Sequence, residues 1–150
     1  MKIAFGCDHG GYVIKDEVLN YFMQNDYEVV YAGTFTPDSC DYPDYASKVC
    51  EEVVAGNVDF GVLICGTGIG MSIVANKIPG IRCAHVNDEF SAEATRLHND
   101  TNVIALGARI ATAEQIIKYI DVFLNTKFSG EKRHVERISK ITEIEKIYLK

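Results

Sequence analysis

Five short apolar runs recur along this chain, and a helical pattern separates each run from the next. The runs are residues 2–7, 28–32, 60–64, 82–86 and 102–106. Between them, apolar side chains return at helical spacing. Residues 11–24 show this plainly, with Ile14, Val18, Leu19, Phe22 and Met23 on one stripe. Further helices are expected over residues 45–55, 68–77, 89–98, 112–124 and 131–148. Asn87 or Asp88 is expected to cap the helix after the fourth run, and Thr112 the one after the fifth. Residues 34–43 hold Pro37 and Pro43 among Asp38, Ser39 and Asp41, and read as a loop. Strands joined through helices of this length need crossover connections, hence a parallel sheet covered on both faces. The fold is read as α/β: a single-domain, Rossmann-like three-layer sandwich with a five-stranded parallel sheet and an extra C-terminal helix, over residues 1–150. Right-handed crossovers leave a Rossmann-like or a flavodoxin-like strand order.

The bulk numbers narrow the class. A chain of 150 residues, 47% hydrophobic and 24% charged, can bury one sizeable core. A net charge of −6 argues against a nucleic-acid surface or an anionic membrane, although a local basic pocket could still take a small anion. No apolar run approaches the ~20 residues of a membrane span. The start of the chain reaches Asp8-His9 too early for a signal peptide. The five cysteines, at positions 7, 40, 50, 65 and 83, form no C-x-x-C pair. Zinc and dithiol chemistry are therefore poorly supported, and reduced thiols in a cytoplasmic protein are the simplest account. No metal and no cofactor are expected.

Parallel sheets bind ligands beyond the carboxyl ends of their strands. The first run ends in Asp8-His9, the third in Cys65-Gly66-Thr67-Gly68-Ile69-Gly70, and the fifth in Gly107-Ala108-Arg109. His98-Asn99, at the end of the helix after the fourth run, is grouped with them. Cys65 stands where an apolar strand turns into a helix, beside three glycines. Reactive thiols favour such places, because a helix N-terminus stabilises a thiolate. The alternative is a buried last residue of a strand, since cysteine is often buried. Asp8 equally suits a helix cap, and His98-Asn99-Asp100 a helix end with Asn in a left-handed conformation. Arg133 and Arg137, four residues apart beside His134, share one helix face and suit a phosphate dianion. An ordinary solvated face near Glu131 and Glu136 is the other reading of that pair.

Several stretches together resemble one family. They are Gly6-Cys7-Asp8-His9-Gly10-Gly11 with Lys15, Asp41-Tyr42-Pro43 with Tyr45-Ala46, and Ile64 through Gly70. The likeness continues through Ala75-Asn76-Lys77, Gly80-Ile81-Arg82, His98-Asn99-Asp100-Thr101-Asn102-Val103, Gly107-Ala108-Arg109, and Arg133-His134 with Arg137. In this order, and over nearly the whole chain, they resemble the ribose-5-phosphate isomerase B (RpiB/LacAB) family of sugar-phosphate isomerases.

The resemblance implies a metal-independent interconversion of D-ribose 5-phosphate and D-ribulose 5-phosphate through an enediolate, in the pentose phosphate pathway. It implies Cys65 as the base that moves a proton between C2 and C1. Thr67 and the loop N–H groups of Gly66, Gly68 and Gly70 would hold the enediolate oxygen. His98, with Asp8, would open the furanose ring. His9, Arg109, Arg133 and Arg137 would bind the phosphate, and Tyr42 and Asn99 would contact the sugar. The family also implies a homodimer with the active site between subunits, where His98, Asn99 and Arg109 come from the partner; pairing of dimers into a tetramer stays open. One branch uses a glutamate where this chain has Met71, which leaves Cys65 as the base. Retention of His98-Asn99 favours the ribose 5-phosphate branch over the galactose 6-phosphate one, and an allose 6-phosphate activity stays open.

Other classes of function fare worse. A G-x-G-x-x-G dinucleotide loop and a C-x₅-R phosphatase loop would need glycine or arginine at Met71. A non-catalytic sugar-phosphate sensor predicts binding without turnover.

Overall fold

A computed structural model describes residues 1–149. In chain order the elements are β1 (Lys2–Cys7), α1 (His9–Tyr12), α2 (Lys15–Gln24), β2 (Glu28–Tyr31), α3 (Tyr42–Val54) and β3 (Phe60–Cys65). They continue as α4 (Ile69–Ala75), β4 (Cys83–His85), α5 (Glu89–Asn99), β5 (Val103–Gly107), α6 (Ala113–Asn125) and α7 (Lys132–Tyr148). All strand pairs are parallel, in the order β2-β1-β3-β5-β4.

That order begins as the flavodoxin order does and then interchanges the last two strands. Burial explains the exchange. Every residue of β5 is buried, whereas β4 is three residues long and only half-buried. A central place suits the first and an edge suits the second. The outer edge of β4 is closed by a side chain. Cys83 N–H donates to Asn76 Oδ1 and Asn76 Nδ2 donates to the Cys83 carbonyl, both at 2.9 Å.

Handedness then assigns the layers. The steps from β1 to β2 and from β4 to β5 run one way across the sheet, and those from β2 to β3 and β3 to β4 run the other way. Right-handed crossovers therefore place α2 and α5 on one face and α3 and α4 on the other. The core follows this division. Phe5, Val62, Ile64, Ile104 and Leu106 pack with Phe22, Ala92, Ile120 and Phe123. On the opposite face Ala4, Leu63, Cys65 and Ala105 meet Ala46, Val49, Met71 and Ala75. Alternation along each strand sends neighbouring residues to opposite layers, so Cys65 points into the small-residue layer.

Some expected boundaries shift. The first helix is two helices, because Asp8 caps a short turn and the chain restarts at Ile14 with φ −116° and ψ 8°. Gly11 is the reason this turn sits where it does. A Cβ there would lie 2.2 Å from the Ile64 carbonyl oxygen. The third helix begins at Tyr42 rather than 45, with Pro43 in its first turn, where proline's missing N–H costs nothing. Asp88 caps α5 through Ser91 N–H at 2.6 Å, and Thr112 forms a capping box with Gln115 on α6. The left-handed residue after α5 is Asp100, at φ 44°, not Asn99. Buried Arg96 holds that turn, donating from one guanidinium nitrogen to Asp100 Oδ1 at 2.7 Å and to the Thr101 carbonyl at 2.6 Å. Among the described residues no helix is long and apolar enough to cross a membrane.

Candidate active site

The carboxyl ends of β1, β3 and β5 come together by close backbone approach. A Cβ on Gly10 would stand 2.7 Å from Gly66 N, and one on Gly107 would stand 2.7 Å from the Thr67 carbonyl carbon. Side chains larger than hydrogen would force these loops apart. The Cys65 loop is thereby clamped from both sides.

Cys65 is 5% exposed, and its Sγ accepts the Gly68 N–H at 3.1 Å. Gly68 has φ 79°, a left-handed conformation that glycine adopts without strain. Thr67 Oγ1 accepts the Ile69 N–H at 3.3 Å, which leaves the hydroxyl hydrogen to donate outward. Two donors of the loop are thus already engaged. Among the described residues, the N–H groups of Gly66, Thr67 and Gly70 have no partner and remain for a ligand oxygen. The Gly68 N–H, expected to hold the enediolate oxygen, is therefore corrected: it is taken up by Cys65 Sγ. Met71 is wholly buried beneath it, as packing.

Around the thiol stand residues that reach solvent. Tyr42 covers the start of α4, so close that a Cβ on Gly70 would lie 2.7 Å from its ring. Arg109 lies on Gly66 of its own chain, with a guanidinium nitrogen 3.0 Å from where a Cβ would be, and so reaches this loop without a partner. His9 Nδ1 accepts the Cys40 N–H at 3.2 Å. A neutral ring must then carry its proton on Nε2, the nitrogen left to donate to an anion. Asp8 is buried, and its Oδ1 accepts from Gly10 N–H at 2.8 Å and Gly11 N–H at 3.1 Å. Asp8 builds the turn as a helix cap.

His98 and Asn99 lie elsewhere. Helix α5 starts at the carboxyl end of β4 and must return to where β5 begins, so its last residues sit at the amino ends of the strands. Contacts confirm this. The Asn99 carbonyl accepts from Arg82 Nε at 3.0 Å, just before β4. The Asn102 carbonyl accepts from Gly61 N–H at 2.9 Å, near the start of β3. The six residues of β3 separate the two ends by about 20 Å. Grouping His98-Asn99 with the strand carboxyl ends is therefore corrected: one chain does not bring His98 to its own Asp8 or Cys65.

The amino-end cluster has its own members. The His98 ring packs against His134, with centroids 4.7 Å apart and planes tilted by 45°. His134 is 4% exposed, and its Nδ1 is 2.8 Å from Ser129 Oγ. Loss of solvent contact first, and then the Arg133 charge, hold the His134 imidazolium below its usual pKa range. Arg133 Nε donates to Glu131 Oε2 at 2.9 Å, and Arg137 follows one turn later on the exposed face. A groove of about 560 Å³ runs below, lined by Arg82, Asn99, Ile141, Ile144 and Tyr148 among others. It lies away from the thiol, so cavity size does not locate Cys65.

Burial acts on three further thiols. Desolvation raises Cys7 to about 11 and Cys50 to about 12, and raises Cys83 further. All five cysteines are free. Among the described residues no cluster of three or more His, Cys, Asp or Glu could hold a metal ion. Sequence reasoning missed His85, whose Nε2 is 2.7 Å from the Thr67 carbonyl oxygen. Its signal was available: a polar residue at the carboxyl end of the fourth apolar run.

The model of the Ribose/Galactose Isomerase family matches residues 3–141. The ribose-5-phosphate isomerase B of Escherichia coli is 45% identical over 144 residues, covering 96% of each chain. The solved structure of Clostridium thermocellum ribose-5-phosphate isomerase B superposes with a TM-score of 0.96 at 46% identity, covering 99% of both chains. The galactose-6-phosphate isomerase subunit LacB of Clostridium acetobutylicum is 38% identical over 144 residues, 96% of this chain and 83% of that one. A five-stranded parallel α/β fold, matched over nearly the whole chain by these relatives, makes this chain a member of the ribose/galactose isomerase family, of the ribose-5-phosphate isomerase B type.

Proposed function

We propose that this chain interconverts D-ribose 5-phosphate and D-ribulose 5-phosphate, with Cys65 Sγ as the base. The observation that carries the reading is the Gly68 N–H donated to Cys65 Sγ at 3.1 Å, at the end of β3, in a chain matched along its length by ribose-5-phosphate isomerases B. A hydrogen bond to sulfur favours the thiolate. The thiolate takes the C2 proton of the open-chain aldose, and the electron pair moves through the C1–C2 bond onto the carbonyl oxygen. The Thr67 hydroxyl and the free N–H groups of Gly66 and Gly70 stabilise that oxyanion. Donors aimed at a developing charge are worth ~3–4 kcal/mol each. The proton returns to C1, and the O2 proton passes to the O1 oxyanion as the C2 carbonyl forms, so the step is redox-neutral and draws on no cofactor.

His9 Nε2, Arg109, Arg133 and Arg137 bind the phosphate, Tyr42 and Asn99 contact the sugar, and His98 moves the proton that opens the ring. The two clusters lie at opposite ends of one sheet, so a complete site takes His98, Asn99, Arg133 and Arg137 from a second copy of the chain. Exposed Ile141, Ile144 and Tyr148 on α7 give such a homodimer apolar surface to bury. Placement in the cytoplasm, in the non-oxidative pentose phosphate branch, goes with this reading. The LacB relative favours galactose 6-phosphate as a second substrate to test.

The test is an isomerase assay, without added metal, over ribose 5-phosphate, allose 6-phosphate and galactose 6-phosphate. Ribose 5-phosphate should give the highest kcat/KM. Cys65→Ala should lower kcat about a thousandfold, about 4 kcal/mol, while substrate still binds. Turnover within tenfold of the unmodified chain would remove Cys65 as the base.

A further inference from the structure

We infer that His85 is a positioning residue that aims the Gly68 N–H at Cys65 by holding the Thr67 carbonyl; the inference rests on the reading of Cys65 as the base. His85 Nε2 lies 2.7 Å from the Thr67 carbonyl oxygen. A carbonyl only accepts, so Nε2 carries the hydrogen and donates. The Thr67 carbonyl and the Gly68 N–H belong to one peptide unit. In a trans peptide these two groups point in opposite directions from a common plane. Fixing the carbonyl on one side therefore fixes the N–H on the other, where it meets Cys65 Sγ at 3.1 Å.

The histidine is itself held. It is the last residue of β4, in register with Ala105, and the next N–H, of Val86, donates to the Ala105 carbonyl at 3.1 Å. The fit on the loop is close: a Cβ on Gly68 would lie 2.9 Å from His85 Cδ2. On its other side the peptide rests on Gly107, where a Cβ would stand 2.7 Å from the Thr67 carbonyl oxygen. The loop could otherwise rotate this peptide, since Gly68 tolerates many backbone angles. The imidazole removes that freedom.

The test compares His85→Ala and His85→Gln with the unmodified chain, by steady-state kinetics and by the pH dependence of iodoacetamide alkylation at Cys65, read by peptide mass. His85→Ala should lower kcat about ten- to hundredfold with KM changed less than about threefold, because the loss falls on the transition state. The pH midpoint of Cys65 alkylation should rise, because the sulfur loses its donor. His85→Gln, whose side-chain Nε2 can donate to the same carbonyl, should restore most of both. If His85→Ala does not fold, His85→Leu keeps bulk without a donor and carries the same expectation. Unchanged kcat and midpoint in His85→Ala overturn the inference, as do Ala and Gln variants that are equally impaired. A fully active Cys65→Ala would instead strike the base assignment, and the alkylation midpoint would still report on His85.

Discussion

The two ends of the sheet carry chemistry in different ways. At the carboxyl ends, Cys65 and Thr67 are held by backbone: Gly10, Gly66 and Gly107 let three loops touch, and N–H groups bond directly to sulfur and hydroxyl. At the amino ends, His98, Asn99, Arg133 and Arg137 are side chains on the exposed surfaces of α5 and α7. The first cluster is shaped before any ligand arrives, which suits groups that must stabilise a fleeting oxyanion. The second presents long cationic side chains, one of them resting on Glu131, which suits capture of a phosphate and completion by another copy. On the proposed reading, backbone-held groups perform the proton transfer and exposed side chains recruit the substrate.

This contrast can be broken most directly by mixing subunits. Cys65→Ala and His98→Ala homodimers should each be close to inactive on the cyclic substrate. Equal amounts, unfolded and refolded together, should recover about a quarter of full activity, because half the dimers are mixed and each mixed dimer holds one intact site. Absence of recovery, with mixed dimers verified by mass, would mean that each site draws both residues from one chain.

A smaller effect is expected from Arg137→Ala. Loss of one charge-assisted phosphate contact should raise KM about tenfold and leave kcat nearly unchanged. A fall in kcat with constant KM would move Arg137 from substrate capture to the chemical step.

The mildest effect separates the two ends by pH. His134 is held below the usual histidine range in the folded chain, chiefly by desolvation and then by Arg133. Unfolding restores the ordinary value of 6.5, so the unfolded chain binds the proton more readily. Stability is then unaffected well above pH 6.5 and declines as pH falls below it. Thermal melts from pH 8 to pH 5 should show that decline, and it should be shallower in His134→Gln. Parallel curves for the two proteins would show that His134 does not couple to folding.

The fold class was legible because periodicity is a local property of side chains. Apolar stripes in α2 and α6 and short apolar runs at β3 and β5 announce helices and strands wherever they occur. The split at Ile14 was not legible, since it depends on Gly11 pressing against the Ile64 carbonyl, a contact between β3 and residues far away in sequence. The place of β5 between β3 and β4 was equally hidden. Adjacency in a sheet follows from competition for burial among all strands, and no window of sequence contains that competition.

The site divides along the same line. From sequence alone came the thiol on a glycine turn, the arginine pair on one helix face, and the resemblance that tied them to a sugar phosphate. Each depends on residue type and short spacing. Tertiary structure alone decided three matters. It sent His98 to the far end of the sheet from Cys65, because a helix between parallel strands must run back antiparallel to them. It laid Arg109 on its own Gly66. It also joined His85 to Thr67, 18 residues apart in sequence, because β4 ends level with Leu63 of β3, two residues before Cys65, where a side chain reaches the loop beyond it. Sequence supplied the candidate groups, and the crossing of the chain decided which of them could meet.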